Sequence, residues 1–324
     1  MNKIKRSIKL LKAAFAVLFR EKKLLLFPMI ASTLALVVAL FFLVPVVFYP
    51  TGDPVFSAAH WRALGDTFLQ DASQKHHVPG SPVVVGKSGF ALVVTSHWWV
   101  TPLFAALYFI SMFIATFSNV AFYHEIMQAL NGNAVSIRRG FRVAAARWRA
   151  VLLWSLFAGL VGYIINAIEQ RVGFLGKIIM SFIGMAWSVA CIFIIPTLVR
   201  DTETTNPVKL LRQSAGTLKR TWGELVVGFV GLELVFGLIF LTIFLGVGAV
   251  VVMGGYGHIH LPRVLGLWLM LAGIAGVVLA LVVMSWISNL VNQVYRCALY
   301  IYATEGVVPE SFDQELLDSA WKVK

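Results

Sequence analysis

The sequence predicts an all-α polytopic membrane protein: six transmembrane helices arranged as three hairpins, with amphipathic lead-in helices on the cytoplasmic side. Three observations predict it. Of the 324 residues, 59% are apolar and only 13% are charged, whereas soluble domains run about 45–50% apolar and about 25% charged. Six apolar stretches are long enough to cross a bilayer as helices, which takes about 20 residues. The Lys and Arg residues cluster on alternate sides of those stretches. This composition excludes a water-soluble single domain. With a mean hydropathy of +0.82, it also excludes a disordered chain, which requires low hydrophobicity.

The elements follow in order. Residues 1–23 form a basic amphipathic helix, with Ile4, Ile8, Leu11, Phe15 and Leu18 at spacings of three and four on one face and lysines on the other. Such a helix is expected to lie in the headgroup plane, gaining about 1 kcal/mol per basic residue from anionic lipid. The first span is Leu24 to Tyr49. A long outer loop, 50–97, carries Phe56, Trp61, Leu64 and Phe68 at the spacing of a short amphipathic helix. The second span is Trp98 to Tyr123, and a second basic lead-in runs from Ser136 to Arg142. The third and fourth spans, Val151 to Ile168 and Gly173 to Val199, are separated by a tight turn at Arg171. A third lead-in, Pro207 to Arg212, precedes the fifth span, Leu225 to Met253. The sixth runs from Val264 to Ser288 after a turn rich in glycine. The transmembrane domain is thus 24–303, followed by a short acidic tail, 304–324.

Orientation follows from the basic residues. Twenty-one fall on the side of the N-terminus and six on the other, so both termini are expected in the cytoplasm of a cell-membrane protein. The same count explains the net charge of +12 without nucleic acid. The expected partner is the bilayer itself, with anionic lipid against Lys5, Lys9, Lys12, Arg138, Arg139, Arg142, Lys209 and Arg212. The first apolar run is too long for a signal-peptide core and is read as a retained anchor. Two cysteines, Cys191 and Cys297, offer no disulfide framework.

One acidic residue stands inside an apolar span. Glu233 is about eight residues into the fifth, roughly 12 Å along the helix. A carboxylate at such depth must be paired, protonated or hydrated, which makes it a candidate site for a proton or cation. Asn119, Asn166, Asn289 and Asn292 on other spans are candidate neighbours. The alternative is a Glu233 near the interface that only hydrogen-bonds a neighbour. His258 and His260, with His60, His76, His77 and His97, fall on the outer side, but no ligand spacing accompanies them and no metal site is expected. Gly80 to Ser88 is one residue too long for a phosphate loop. No metalloprotease helix motif, nucleophile elbow or cofactor signature occurs, so no enzyme is expected.

Several segments together resemble a known family. They are Leu25-Leu26-Phe27-Pro28, Ala186-Trp187-Ser188, Phe193-Ile194-Ile195-Pro196-Thr197-Leu198-Val199, Ser214, Lys219-Arg220-Thr221-Trp222-Gly223-Glu224, and Leu299-Tyr300-Ile301-Tyr302-Ala303 to Val308-Pro309. The chain resembles, over nearly all its length outside the outer loop, the prokaryotic six-span membrane proteins grouped as domain of unknown function 6159. That resemblance implies a cell-membrane protein and transfers no catalytic residue. The expected function is transporter- or channel-like handling of a small solute or lipid. The alternative is an accessory protein that binds a partner or organises lipid; a membrane-embedded lipid enzyme stands behind both.

Overall fold

The computed structural model describes residues 3–48, 51–65, 100–256, 263–309 and 312. All regular structure among them is helical. Among the described residues, five helical segments are long and apolar enough to cross a membrane: Lys22–Pro45, Pro102–Leu130, Trp148–Glu169, Phe174–Arg200 and Ala275–Glu305. The expected fifth span, Leu225 to Met253, falls within a longer helix, of which Val235–Gly246 is the described apolar part.

Helix α1, Lys3–Arg20, is the amphipathic helix that its periodicity predicts, but it does not float on the surface. Leu10, Ala13, Ala14, Val17 and Leu18 are buried, and the helix packs against the two longest helices of the fold, Pro207–Tyr256 and Arg263–Glu305. The buried face is turned relative to the expected one. Counting only large apolar residues put Leu11 and Phe15 at its centre. The small Ala13 and Ala14 are what let α1 approach its neighbours, and Leu11 and Phe15 lie on the flank. A 3₁₀ turn, Lys22–Leu25, leads into α2, Leu26–Val47. Helix α3, Ala58–Gly65, lies where the short amphipathic helix of the 50–97 loop is expected. There Leu64 is buried and Phe56 wholly exposed, while Phe68 lies outside the described residues. His60 is a structural residue: its Nε2 lies 2.8 Å from the Val47 carbonyl and its Nδ1 2.6 Å from the Thr51 hydroxyl. A carbonyl only accepts, so Nε2 carries the proton.

Helix α4, Val100–Leu130, packs on α2. Gly132, at φ +78°, closes its C-terminus. Helix α5, Ile137–Ala146, begins at Ser136, whose hydroxyl accepts from the Arg139 amide. It crosses α4 so closely that a Cβ on Gly140 meets the Ala121 carbonyl oxygen at 2.7 Å. Helices α6, Trp148–Glu169, and α7, Phe174–Ala190, pack as a pair, with Trp154 stacked on Trp187 at 6.2 Å.

The expected fourth span is broken. Helix α7 ends at Ala190, a turn occupies 191–193, and α8 runs Ile194–Arg200. Pro196 forces this: it donates no hydrogen bond and its ring clashes with the carbonyl four residues back. Ser214 satisfies the freed backbone, donating to the Ala190 carbonyl at 2.6 Å and accepting from the Phe193 amide at 3.2 Å.

The third lead-in is not a separate helix either. Asn206 caps α9, Pro207–Tyr256, accepting from the Val208 amide, with Pro207 in the first turn. The 50 residues of α9 span about 75 Å at 1.5 Å per residue, so Pro207 to Arg212 simply starts the helix that continues into the expected span. Helix α10, Arg263–Glu305, packs against α9 and ends at Gly306, φ +68°.

The apolar core gathers at one end of the bundle. It joins Leu10 and Val17 of α1, Leu24 and Phe27, Ile126 and Leu130 of α4, Val151 of α6, Phe193 and Leu198 around α8, Leu210 of α9, and Val294 and Leu299 of α10. This is the end that carries the basic segments. Away from it, Leu36, Val37, Leu40 and Phe41 of α2, and Phe174, Leu175 and Phe182 of α7, are exposed, as lipid-facing side chains are. Gly140→Val should therefore destabilise the protein by about 1–3 kcal/mol through overpacking. Gly216→Ala, where a Cβ meets nothing within 4 Å, should be neutral or stabilising by up to about 1 kcal/mol. Thermal unfolding in detergent distinguishes the two.

Candidate functional site

A cleft of about 510 Å³ lies between α9 and α10. Helix α10 supplies Leu281, Met284, Ser285, Ser288, Asn289, Asn292 and Arg296, and α9 supplies Phe236, Gly237 and Phe240. The polar positions 285, 288, 289, 292 and 296 recur at three- and four-residue steps, so they form one stripe on one helix face. A stripe of hydroxyls, amides and a guanidinium in an otherwise apolar span carries a desolvation cost that a purely structural face avoids. Gly237 keeps the opposite wall open: a Cβ there meets nothing within 4 Å.

The structure sorts the sequence candidates. Asn289 and Asn292 line the cleft; Asn292 is buried, and Asn289 accepts from Gln293 at 3.0 Å. Asn119 sits on α4 and is not part of the lining. Asn166 is exposed near the far end of α6, accepting from Gln170 at 2.6 Å. Glu233 belongs to α9, one helical turn before Phe236 and Gly237; its side chain lies outside the described residues. The residues missed by sequence reasoning are Ser285, Ser288 and Arg296. Their helical spacing is the signal in the sequence that points to them.

The basic candidates divide as well. Lys9, Lys12, Arg138, Arg142, Lys209 and Arg212 are exposed, and the Lys5 side chain lies outside the described residues. Arg139 instead clamps Glu125. Its Nε and Nη2 donate to the two carboxylate oxygens at 2.8 and 2.6 Å, and the Ser136 amide donates to the same carboxylate at 2.7 Å. Glu125 is fully buried, and its hydrogen bonds hold the Arg139 guanidinium more firmly protonated. Among the described residues no three His, Cys, Asp or Glu gather as a metal site; His258 and His260 lie outside them.

A model described as a family of unknown function, DUF6159, matches residues 99–309. The chain belongs to that family. No curated protein and no solved structure matches it. The DUF6159 region contains both walls of the cleft, the Glu125 clamp and the break in the fourth span, whereas α1, α2 and α3 precede it.

A second, smaller polar cleft of about 320 Å³ opens at the basic end, among Thr197, Asp201, Gln213, Thr217, Arg220, Tyr300 and Thr304. Buried Arg147 donates to the Thr204 carbonyl at 3.0 Å and holds the 201–206 loop beside it. Burial alone would raise the Asp201 carboxyl, but hydrogen bonds from Gln213 and from the Thr204 and Glu203 amides outweigh it and hold it at about 2. A depressed carboxyl stabilises the fold above its ordinary value near 4 and loses that contribution as pH falls toward 2. Asp201→Asn should therefore lower stability at neutral pH and flatten its fall between about pH 4 and pH 2. Chemical unfolding across that range checks it; parallel wild-type and variant curves contradict it.

Proposed function

We propose that this membrane protein holds a small solute or lipid in the cleft between α9 and α10, in the manner of a transporter or channel. The polar stripe on α10 carries the reading: five hydrogen-bonding or charged side chains on one face, opposite a glycine that leaves the space open. In this reading α9 supplies the remaining span, the spans pair as three hairpins, and the basic end with both termini faces the cytoplasm at a cell membrane. Glu233, on the helix forming the opposite wall, is the candidate proton- or cation-handling group, and Arg296 is the charged group among the described lining residues.

A second reading is supported by the exposed Lys9, Lys12, Arg138, Arg142, Lys209 and Arg212. They form a basic face suited to anionic lipid or an acidic partner, as an accessory protein would present.

The two differ in water access. With Cys191 and Cys297 replaced by alanine, Asn289→Cys should react with a membrane-impermeant thiol reagent, while Val283→Cys on the lipid-facing side should not. An inert cysteine at 289 favours the accessory reading. Glu233→Gln should remove the pH dependence of ligand retention or flux; an unchanged pH profile takes Glu233 out of the site.

A further inference from the structure

The cleft has a polarity gradient. Along α10 it passes from Leu281 and Met284 through the Ser and Asn positions to Arg296 at the basic end. The 15 residue steps from Leu281 to Arg296 cover about 22 Å of helix, somewhat more than the roughly 15 Å half-thickness of a bilayer's hydrocarbon core. The apolar end is continued on α9 by Phe240. Beside the cleft, Val278, Leu279, Val282 and Val283 of α10 and Leu238 and Leu241 of α9 are exposed. The apolar end of the cleft therefore opens among lipid-facing side chains, a route that a water-soluble ligand does not need. The charged group among the described lining residues is Arg296, and a guanidinium suits phosphate oxygens through paired N–H donors. Helix α1, which carries exposed Lys9 and Lys12, packs against α9 and α10 at this same end, and basic residues there raise the local concentration of anionic lipid.

We infer that the ligand is an acidic amphiphile, a lipid with a phosphate-type anionic head seated at Arg296 and a chain lying along Phe240 and Leu281. This rests on the cleft being a ligand site and names its ligand class. The head chemistry is shared with free phosphate esters; the chain distinguishes the two sources.

The test uses the full chain in nanodiscs of equal phosphatidylglycerol and phosphatidylcholine, with retained lipid counted by native mass spectrometry. Wild type should retain phosphatidylglycerol over phosphatidylcholine by about tenfold, the scale of one charge-assisted contact. Arg296→Gln should lose that preference, and Arg296→Lys should keep most of it. Should Arg296→Gln fail to fold, Gly237→Leu carries the test. Its added side chain enters open space, so the protein should stay folded and retain less lipid of either kind. Equal retention of both lipids, or a preference that survives Arg296→Gln, overturns the anionic head. Glycerol phosphate retained as well as the lipid overturns the chain while leaving the cleft a ligand site. Nothing retained, together with an unreactive cysteine at 289, overturns both the inference and the cleft reading.

Discussion

The fully buried carboxylate of Glu125 is the interaction on which the arrangement at the basic end depends. A buried acceptor must be satisfied or it costs about 1–3 kcal/mol, more when charged, and here Arg139 and the Ser136 amide satisfy it together. That clamp folds the chain back at the end of α4 and lays α5 across it at Gly140. The same elbow receives α1: Arg20 donates to the Ala129 carbonyl, and Glu21 accepts from the Val135 amide at 3.2 Å. Helix α1 in turn packs on α9 and α10. The clamp is therefore linked, through two short connections and one helix, to the pair of helices that forms the cleft.

The polar residues of the spans do two kinds of work. Ser214 and Thr197 repair backbone where the fourth span breaks, and Ser155 and Thr116 bond the carbonyl one turn back on their own helices at 2.7 and 2.8 Å. These settle local needs. The stripe on α10 is different in kind, since its members share a face and that face borders open volume. Placing Arg296 at the basic end of the stripe and Leu281 at the other matches the cleft to the polarity of the bilayer around it.

Much of the fold is legible in the sequence because lipid imposes a simple rule: a helix that crosses must be apolar for about 20 residues. The helical class and the long apolar segments on α2, α4, α6 and α7 are read that way. Features set by close packing are not. The buried face of α1 is wider than its large apolar residues indicate, because Ala13 and Ala14 carry little hydrophobic weight yet are buried beside Leu18. Hydropathy is blind to a proline's missing donor, so the break at 191–193 was passed over although Pro196 was in view. Arg139 reads in the sequence as one of eight basic surface residues because its partner, Glu125, lies fourteen residues upstream, just past the expected end of the second span. In the site, Asn289 and Asn292 stand out as polar residues among apolar ones, while Arg296 is marked only by its helical spacing from them.

The most direct measurement is a cryo-electron microscopy map of the full chain in nanodiscs containing anionic lipid. The account predicts ordered non-protein density between α9 and α10, with its head within hydrogen-bonding distance of Arg296 and its tail along Phe240. A map in which α9 closes on α10 and its side chains fill that space, with no density between them, would contradict it.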